Sequence, residues 1–454
     1  MVLVVLNDWL AAHAQVAHVE YVVTDPNGIA RGKWAPAASL HKAFAPGPAG
    51  GINFPLSLHA LDVWGTEVPE TGLHISSGDR DGFFRAVPET LSLVPGRADV
   101  AQVLLQTFEP GGEPFGGCAR QVLRAACERL AAAGLFPTCA FELEFHLFAP
   151  GEPGEPPVIA DPPALGDSRR MYGLRALVEQ SPVLGLVREA GATAGLPIDT
   201  IVKEAAPGQY EVNLTHRARG EGGALRAADD AVLLRRIVHA SARAHGLRAS
   251  FMAKPFRDEA GNGAHIHVSL ADAEGRNVFA GEGGDARLRH AAGGLVSTMR
   301  ETALVFCNTV NGFRRMAPGS YAPTRANWGF NNRSVAVRVP ASGEAARRLE
   351  HRVSGADANP YLILATVLSA MAEGIERGVE PPPELEGNAY DTAAPGRGER
   401  LPLSMDEALS LFAASPFAAR ALGETMHRNL AHLKRAEIAG FLHDISPLER
   451  ATYT

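Results

Sequence analysis

Five consecutive residues, Phe141-Glu142-Leu143-Glu144-Phe145, constrain this chain more tightly than any other stretch. In an extended strand successive side chains point to opposite faces. Glu142 and Glu144 then share one face, and Phe141, Leu143 and Phe145 share the other. Two carboxylates held side by side on an apolar backing raise each other's pKa unless positive charge lies between them. A divalent cation resolves that conflict; a half-buried strand with an acidic solvent face is the plainer alternative. The same device recurs downstream. Glu211 alternates with Asn213, His265 with His267, and Arg348 with Glu350 and Arg352. Several strands that each carry functional groups on one face are expected to form the wall of a single polar cavity.

At 454 residues the chain is long enough for two domains. A net charge of -7, without a basic bias, argues against nucleic acid as a partner. Cys118, Cys127, Cys139 and Cys307 show no C-x-x-C spacing and are expected to be reduced thiols in a cytoplasmic protein. The first six residues are apolar, but Asn7 and Asp8 follow and no basic flank precedes them, so no signal peptide is expected. No apolar run reaches the ~18 residues that a membrane span needs.

Along the chain, residues 1–15 read as a helix. A hairpin follows around the turn Asp25-Pro26-Asn27-Gly28. Short strands and loops continue to the Pro/Gly-rich boundary near 110–114, which gives a small β-rich domain at 1–112 and a larger one at 113–454. The second part mixes helices (118–133, 182–194, 224–245, 285–310, 360–375 and 416–441) with the polar-faced strands. Residues 149–166 and 381–401 read as Pro/Gly-rich loops, and Ser404 with Glu407 forms a capping box. The fold class is therefore α+β.

Glu142, Glu144, Glu204, Glu211, His265 and Glu350 are the candidate ligands. Five carboxylates and one imidazole favour a hard cation, Mg²⁺ or Mn²⁺, over zinc. Arg315, Arg333, Arg338, Arg348 and Arg352 supply forks suited to carboxylates and phosphates. Metal ligands plus arginines are the equipment of phosphoryl transfer, yet the chain has no Walker A loop and no G-x-G-x-x-G.

Five ordered motifs carry a resemblance. They are FELEF at 141–145, EAAPGQYEVN at 204–213, GNGAHIHVS at 261–269, NGFRRMAPGSYAPTRANWGFNNRS at 311–334, and RRLEHR at 347–352 followed by ANPYLILA at 358–365. Nearly the whole chain resembles the glutamine synthetase superfamily. The resemblance implies a β-grasp-like N-terminal domain and a catalytic domain with a curved antiparallel sheet. It implies that Glu144, Glu204 and Glu211 hold one metal, and that Glu142, His265 and Glu350 hold a second, nucleotide-associated one, with two or three ions per site. Arg315, Arg352 and Gly261 would bind L-glutamate. Arg333 would stabilise the transferring phosphoryl group, and His267, Ser269, Arg338 and Arg348 would neighbour the nucleotide. The implied chemistry is phosphorylation of the glutamate γ-carboxylate by ATP, then displacement of phosphate by an amine. The implied assembly is a homo-oligomer, a dodecamer of two hexameric rings with active sites between subunits.

The ammonium site departs from that family's ammonia-using enzymes. They carry glutamate in Pro-Gly-Tyr-Glu-Ala-Pro, whereas this chain has Tyr321 in Pro318-Gly319-Ser320-Tyr321-Ala322-Pro323. Their Asp-Gly-Ser-Ser loop matches Phe54-Pro55-Leu56-Ser57, which has no acid; Asp62 nearby is the substitute on offer. Ammonium needs close negative charge, while a neutral phenol offers a hydrogen bond and an aromatic face to an organic amine. The departures resemble the γ-glutamylamide branch, the γ-glutamylpolyamine, γ-glutamylethanolamine and γ-glutamylmethylamide synthetases. A glutamine synthetase with a rebuilt ammonium site and an inactive ring-forming scaffold or nitrogen sensor are the alternatives. Tyr390 resembles a position adenylylated in some relatives, or is an ordinary loop residue. His59, His74 and His290 are expected at the surface or in packing. Trp64 and Trp328 are expected in the core, with the pocket as an alternative place for Trp328.

Overall fold

A computed structural model describes residues 2–45, 50–152, 155–160, 171–391 and 398–453. The first sheet has six strands: β1 (His18–Thr24), β2 (Ala30–Pro36), β3 (Ile52–Pro55), β4 (Asp81–Ala86), β5 (Ser92–Val94) and β6 (Arg97–Phe108). Their order is β2-β1-β6-β4-β3, with β5 on β6, and β1 runs parallel to β6. Val19, Tyr21 and Val23 of β1 and Ala101, Val103 and Leu105 of β6 fill one small core, as period-two patterning requires.

The second sheet has eight strands: β7 (Phe136–Phe148), β8 (Ile198–Lys203), β9 (Gln209–Leu214), β10 (Arg248–Ser250), β11 (Ala264–Ala271), β13 (Trp328–Phe330), β14 (Val337–Val339) and β15 (Leu349–His351). The short β12 (Arg325–Ala326) pairs separately with β16 (Glu399–Arg400). The long order is β13-β14-β15-β11-β7-β9-β8, with β10 on β7. The sheet is antiparallel, as expected, with one parallel pair, β13 and β14. Phe141, Leu143 and Phe145 are fully buried and back onto the helix Gly223–Ala244.

The helix Pro360–Arg377 crosses the helices Ala119–Ala132 and Gly284–Thr298. Asn359 caps it by accepting from the Tyr361 and Leu362 amides, and Gly378 ends it at φ +60°. Gly294 permits the close crossing, since a Cβ there would meet the Ala370 carbonyl oxygen at 2.0 Å. The helix expected over 285–310 is broken into Gly284–Thr298 and Ala303–Phe306. The Thr298 and Thr302 hydroxyls donate to the carbonyls four residues back, which bends helices.

The turn at 25–28 of the first sheet plugs into the rest of the chain. The Asn308 side chain donates to the Asn27 carbonyl at 3.1 Å, Lys434 Nζ donates to Asn27 Oδ1 at 2.8 Å, and Asn359 Nδ2 donates to the Asp25 carbonyl at 2.8 Å. Gly28 (φ +81°) faces Asp357 and Asn359 backbone too closely for a side chain. Trp64 corrects a second expectation. It is 54% exposed and lies against Phe441 rather than in a core, because the turn anchored by Asp62 holds it outward. Trp328 is fully buried, and its indole N–H donates to the Pro382 carbonyl at 2.7 Å, so it is a core residue and not a pocket wall. His59 and His74 are buried packing residues; burial pushes His59 down to about 3. Among the described residues no helix is long and apolar enough to cross a membrane.

Candidate active site

The four polar-faced stretches become cross-strand neighbours. Glu142 pairs with His265 on one side and Asn213 on the other, Glu144 pairs with Glu211, and His267 pairs with Glu350, which pairs in turn with Arg338. Facing residues in such pairs sit ~5 Å apart at Cβ, so sheet register alone gathers these groups. Together they floor a pocket of about 410 Å³. Of the candidate residues, Glu142, Glu144, Glu204, Glu211, Gly261, His265, Arg315, Tyr321, Arg333 and Arg352 line it. Glu350 and His267 lie one contact behind, on Arg352 and Glu142, and Arg338 and Arg348 lie one contact further, on Glu350 and His267. Ser269 shares the β11 face with His265 and His267 but is not in the lining.

Two groups could each hold a cation: Glu142, His265 and Glu350, and Glu144, Glu211 and His265. His265 belongs to both. Its Nδ1 is 3.3 Å from Glu142 Oε2 and its Nε2 is 3.8 Å from Glu144 Oε1. Burial and the Arg352 charge hold it down to about 4, so the ring is neutral at pH 7. A neutral imidazole has one lone pair, so it can ligate only one ion at a time. Glu204 lines the same pocket outside these compact groups, because it lies past the end of β8 on the turn leading to β9.

The carboxylates are not balanced. Burial pushes Glu144 up to about 7, with Glu204 adding repulsion against the pull of Arg315. Glu211 is driven well above the usual range by burial and by Glu142, Glu144 and Glu204. Glu204 is raised by burial as well. Glu142 is the opposite case: hydrogen bonds from His265 and His267 overcome its burial and hold it low. Glu350 is also held low, at about 2, because the Arg352 charge overcomes its burial. Arg338 Nη1 donates to Glu350 Oε2 at 2.8 Å, and Arg352 Nη1 pairs with Oε1.

The arginines are equally specific. Arg315 is buried and donates to the Val353 carbonyl at 2.9 Å. Arg352 Nε is buried without a hydrogen-bond partner among the described residues, an N–H that an incoming carboxylate oxygen would satisfy. Arg333 is exposed at the pocket. Arg348 Nε donates to His267 Nδ1 at 3.1 Å, which places the ring proton on Nε2, and Nε2–H donates to Glu142 Oε1 at 2.9 Å. His267 thus orients a ligand and has no free lone pair of its own.

Tyr321 is 66% exposed at φ +60°. Its loop is tied down by Ser320 Oγ, which donates to the Arg315 carbonyl at 3.0 Å, and by the Tyr390 hydroxyl, which donates to the Ala322 carbonyl at 2.9 Å. Asp62 is not in the pocket lining; its Oδ1 accepts from the Trp64 and Thr66 amides.

Sequence reading missed three contributors. Gln209 Nε2 donates to Glu144 Oε2 at 3.2 Å, and the Gly263 amide donates to the same oxygen at 2.8 Å. These contacts leave Glu144 Oε1 as the free oxygen. Extending the Glu211–Asn213 alternation back one step would have found Gln209. Lys203 is fully buried, and its Nζ donates at 2.6 Å to the carbonyls of Glu204 and Ala206, which fixes the turn that carries Glu204. Tyr172, at φ +63°, lines the pocket with Tyr321 and has no sequence signal.

Comparison with known proteins agrees with this geometry. Residues 116–453 match the family model "Glutamine synthetase, catalytic domain". The chain is 35% identical over 450 residues to γ-glutamylputrescine synthetase PuuA of Escherichia coli K12, covering 97% of this chain and 92% of that one. It is 32% identical to a glutamine synthetase of Pyrococcus abyssi, covering 93% and 90%. The solved structure of a GmaS/ADP complex superposes with a TM-score of 0.84 at 28% identity, covering 99% of each chain. Register, pocket and likeness together make this chain a member of the glutamine synthetase family.

Proposed function

We propose that this protein is an ATP-dependent ligase that joins the γ-carboxylate of L-glutamate to an organic amine through a γ-glutamyl phosphate, releasing ADP and phosphate. The observation that carries this reading is the opposition, across one pocket, of crowded glutamates (Glu144, Glu204 and Glu211) and buried arginines (Arg315 and Arg352).

Two or three Mg²⁺ or Mn²⁺ ions, held by Glu144, Glu204 and Glu211 and by Glu142, Glu350 and His265, would neutralise charge on the phosphate oxygens. Arg315 and Arg352 hold the glutamate carboxylates, with the unpaired Arg352 Nε as one donor, and the Gly261 backbone borders that substrate. Arg333, exposed at the pocket, meets the phosphoryl group in transit. Arg338, Arg348, His267 and Ser269 lie on the nucleotide side, where Arg348 and His267 keep Glu142 oriented. Catalysis here is mostly positioning and charge neutralisation.

Tyr321 supports an organic amine over ammonia. It places a phenol, with no fixed negative charge, at the exposed side of the pocket. The likeness to a putrescine-using synthetase points the same way. The reading extends to a cytoplasmic homo-oligomer of two stacked hexameric rings, in which the first domain (1–112) borders the neighbour's site in the second (113–454).

The test is phosphate release with ATP, Mg²⁺ and L-glutamate against ammonium, methylamine, ethanolamine, putrescine, spermine and an aryl amine. Turnover with an organic amine and little with ammonium is expected. Turnover mainly with ammonium would make the protein a glutamine synthetase, and silence across the panel with ATP still bound would favour another acceptor or a scaffold.

A further inference from the structure

A second cavity, of about 720 Å³, lies away from the pocket described above and shares no lining residue with it. Its walls bring Arg120, Arg124, Arg217 and Arg226 together with Gln106 and Asp229. Two aspartates serve three of the four arginines. Arg120 makes a two-pronged pair with Asp229 at 2.9 Å on each prong. Arg217 and Arg226 share Asp230, at 2.7 and 2.8 Å. Among the described residues Arg124 has no such partner. Its Nη2 donates at 2.6 Å to the neutral amide oxygen of Gln106, which also accepts from Arg120, and its Nε is buried with no hydrogen-bond partner. Burial and the Arg120 charge both work against the Arg124 cation, with Glu128 and Asp229 opposing them without pairing with it. Glu89 and Glu221 also line the cavity, but both are exposed, and a Glu221 oxygen is engaged by the Ala218 amide at 3.1 Å.

A partly buried guanidinium bonded only to a neutral amide costs free energy unless an anion completes it. Guanidinium forks match the planar or tetrahedral oxygens of carboxylates and phosphates. Gly195 and Gly222, at φ +68° and +90°, and the unobstructed Gly220 add a wall without side chains, which leaves backbone open to a ligand. We propose that this cavity is a binding site for a small oxyanion metabolite, whose carboxylate or phosphate group seats on Arg124 beside Arg120. The site is separate from the catalytic pocket and does not depend on what that pocket catalyses.

Calorimetric titration of the full chain tests this directly, with inorganic phosphate in one arm and succinate in the other, and with Mn²⁺ as a control for the catalytic pocket. Binding of at least one oxyanion at millimolar concentration or below is expected. Arg124→Gln should weaken it about tenfold or more, as loss of a charge-assisted hydrogen bond does, with Arg124→Lys recovering part and Mn²⁺ affinity unchanged. Gln106→Glu, which supplies an internal carboxylate to the same guanidinium, should weaken it likewise and serves if Arg124→Gln does not fold. Which arm gives the stronger signal separates carboxylate from phosphate ligands. No binding in either arm, or binding that Arg124→Gln and Gln106→Glu leave unchanged, overturns the proposal.

Discussion

Where the turn at 25–28 meets the helix Glu424–His443, Lys434 and Glu437 are both buried, yet they are paired with each other. Lys434 Nζ donates to Glu437 Oε2 at 2.9 Å and to Asn27 Oδ1 at 2.8 Å, and Glu437 Oε1 accepts from the Val310 amide at 3.2 Å. On the catalytic sheet, burial is similar but the bookkeeping differs. Glu144 and Glu211 are buried facing each other, Glu204 adds to the repulsion, and nothing among the described residues neutralises all three. The first cluster is complete within the chain and holds two parts of the fold together. The second is incomplete, and what completes it must come from outside. An unresolved charge conflict, more than burial or charge density, marks the functional region.

Substitutions in the two clusters should therefore have opposite signatures. Glu211→Gln should cost at least about a hundredfold in Mn²⁺ affinity and turnover, since even residues behind metal ligands cost 10–100-fold. In metal-free buffer it should raise the melting temperature, because it removes one of the repelling charges. Unchanged ATP turnover would remove the metal assignment. Lys434→Met should do the reverse: about 3–5 kcal/mol less stability in urea denaturation, from stranding buried Glu437, with Mn²⁺ affinity intact. A loss of Mn²⁺ binding there would erase the distinction between the regions.

Smaller effects sharpen the mouth of the pocket. Tyr321→Glu supplies the carboxylate that ammonia-using relatives carry, and should raise turnover with ammonium while lowering it with bulky amines; no gain with ammonium would weaken the organic-amine reading. Tyr390→Phe removes one hydrogen bond to the Ala322 carbonyl. It should cost about 0.5–1.5 kcal/mol and raise the KM for the amine slightly through the Tyr321 loop, leaving kcat and Mn²⁺ affinity alone.

Much of the site was legible because strands have a fixed period. Once Glu142, Glu144, Glu211, His265, His267 and Glu350 are recognised as alternating, a shared face follows for each strand, and the motifs supply the roles. What alternation cannot supply is register between strands. The double membership of His265, the arginine clamp on Glu350 and the place of Glu204 off the sheet all depend on it. Tyr172 was invisible for a different reason: a lone tyrosine beyond a Pro/Gly-rich loop carries no period. Size alone placed Trp328 rightly in the core and Trp64 wrongly. Trp328 and Trp64 have the same side chain, and only the local turns decide that one is sealed under Pro382 while the other lies open on Phe441.

The most direct measurement follows the melting temperature of the metal-free protein from about pH 5 to 8, then repeats it with Mg²⁺ or Mn²⁺. Glu144 has a folded pKa raised from 4.5 to about 7, and Glu204 and Glu211 are raised too. Their protonated forms therefore favour the fold, and that contribution is lost as pH rises from the unfolded value through the folded one. The expected result is a melting temperature that falls across this window without metal, and a fall that saturating divalent cation reduces or abolishes, with protons released on binding near neutral pH. A metal-free profile that is flat or rises with pH, or one that divalent cations leave unchanged, would contradict the claim that these glutamates are a cation site.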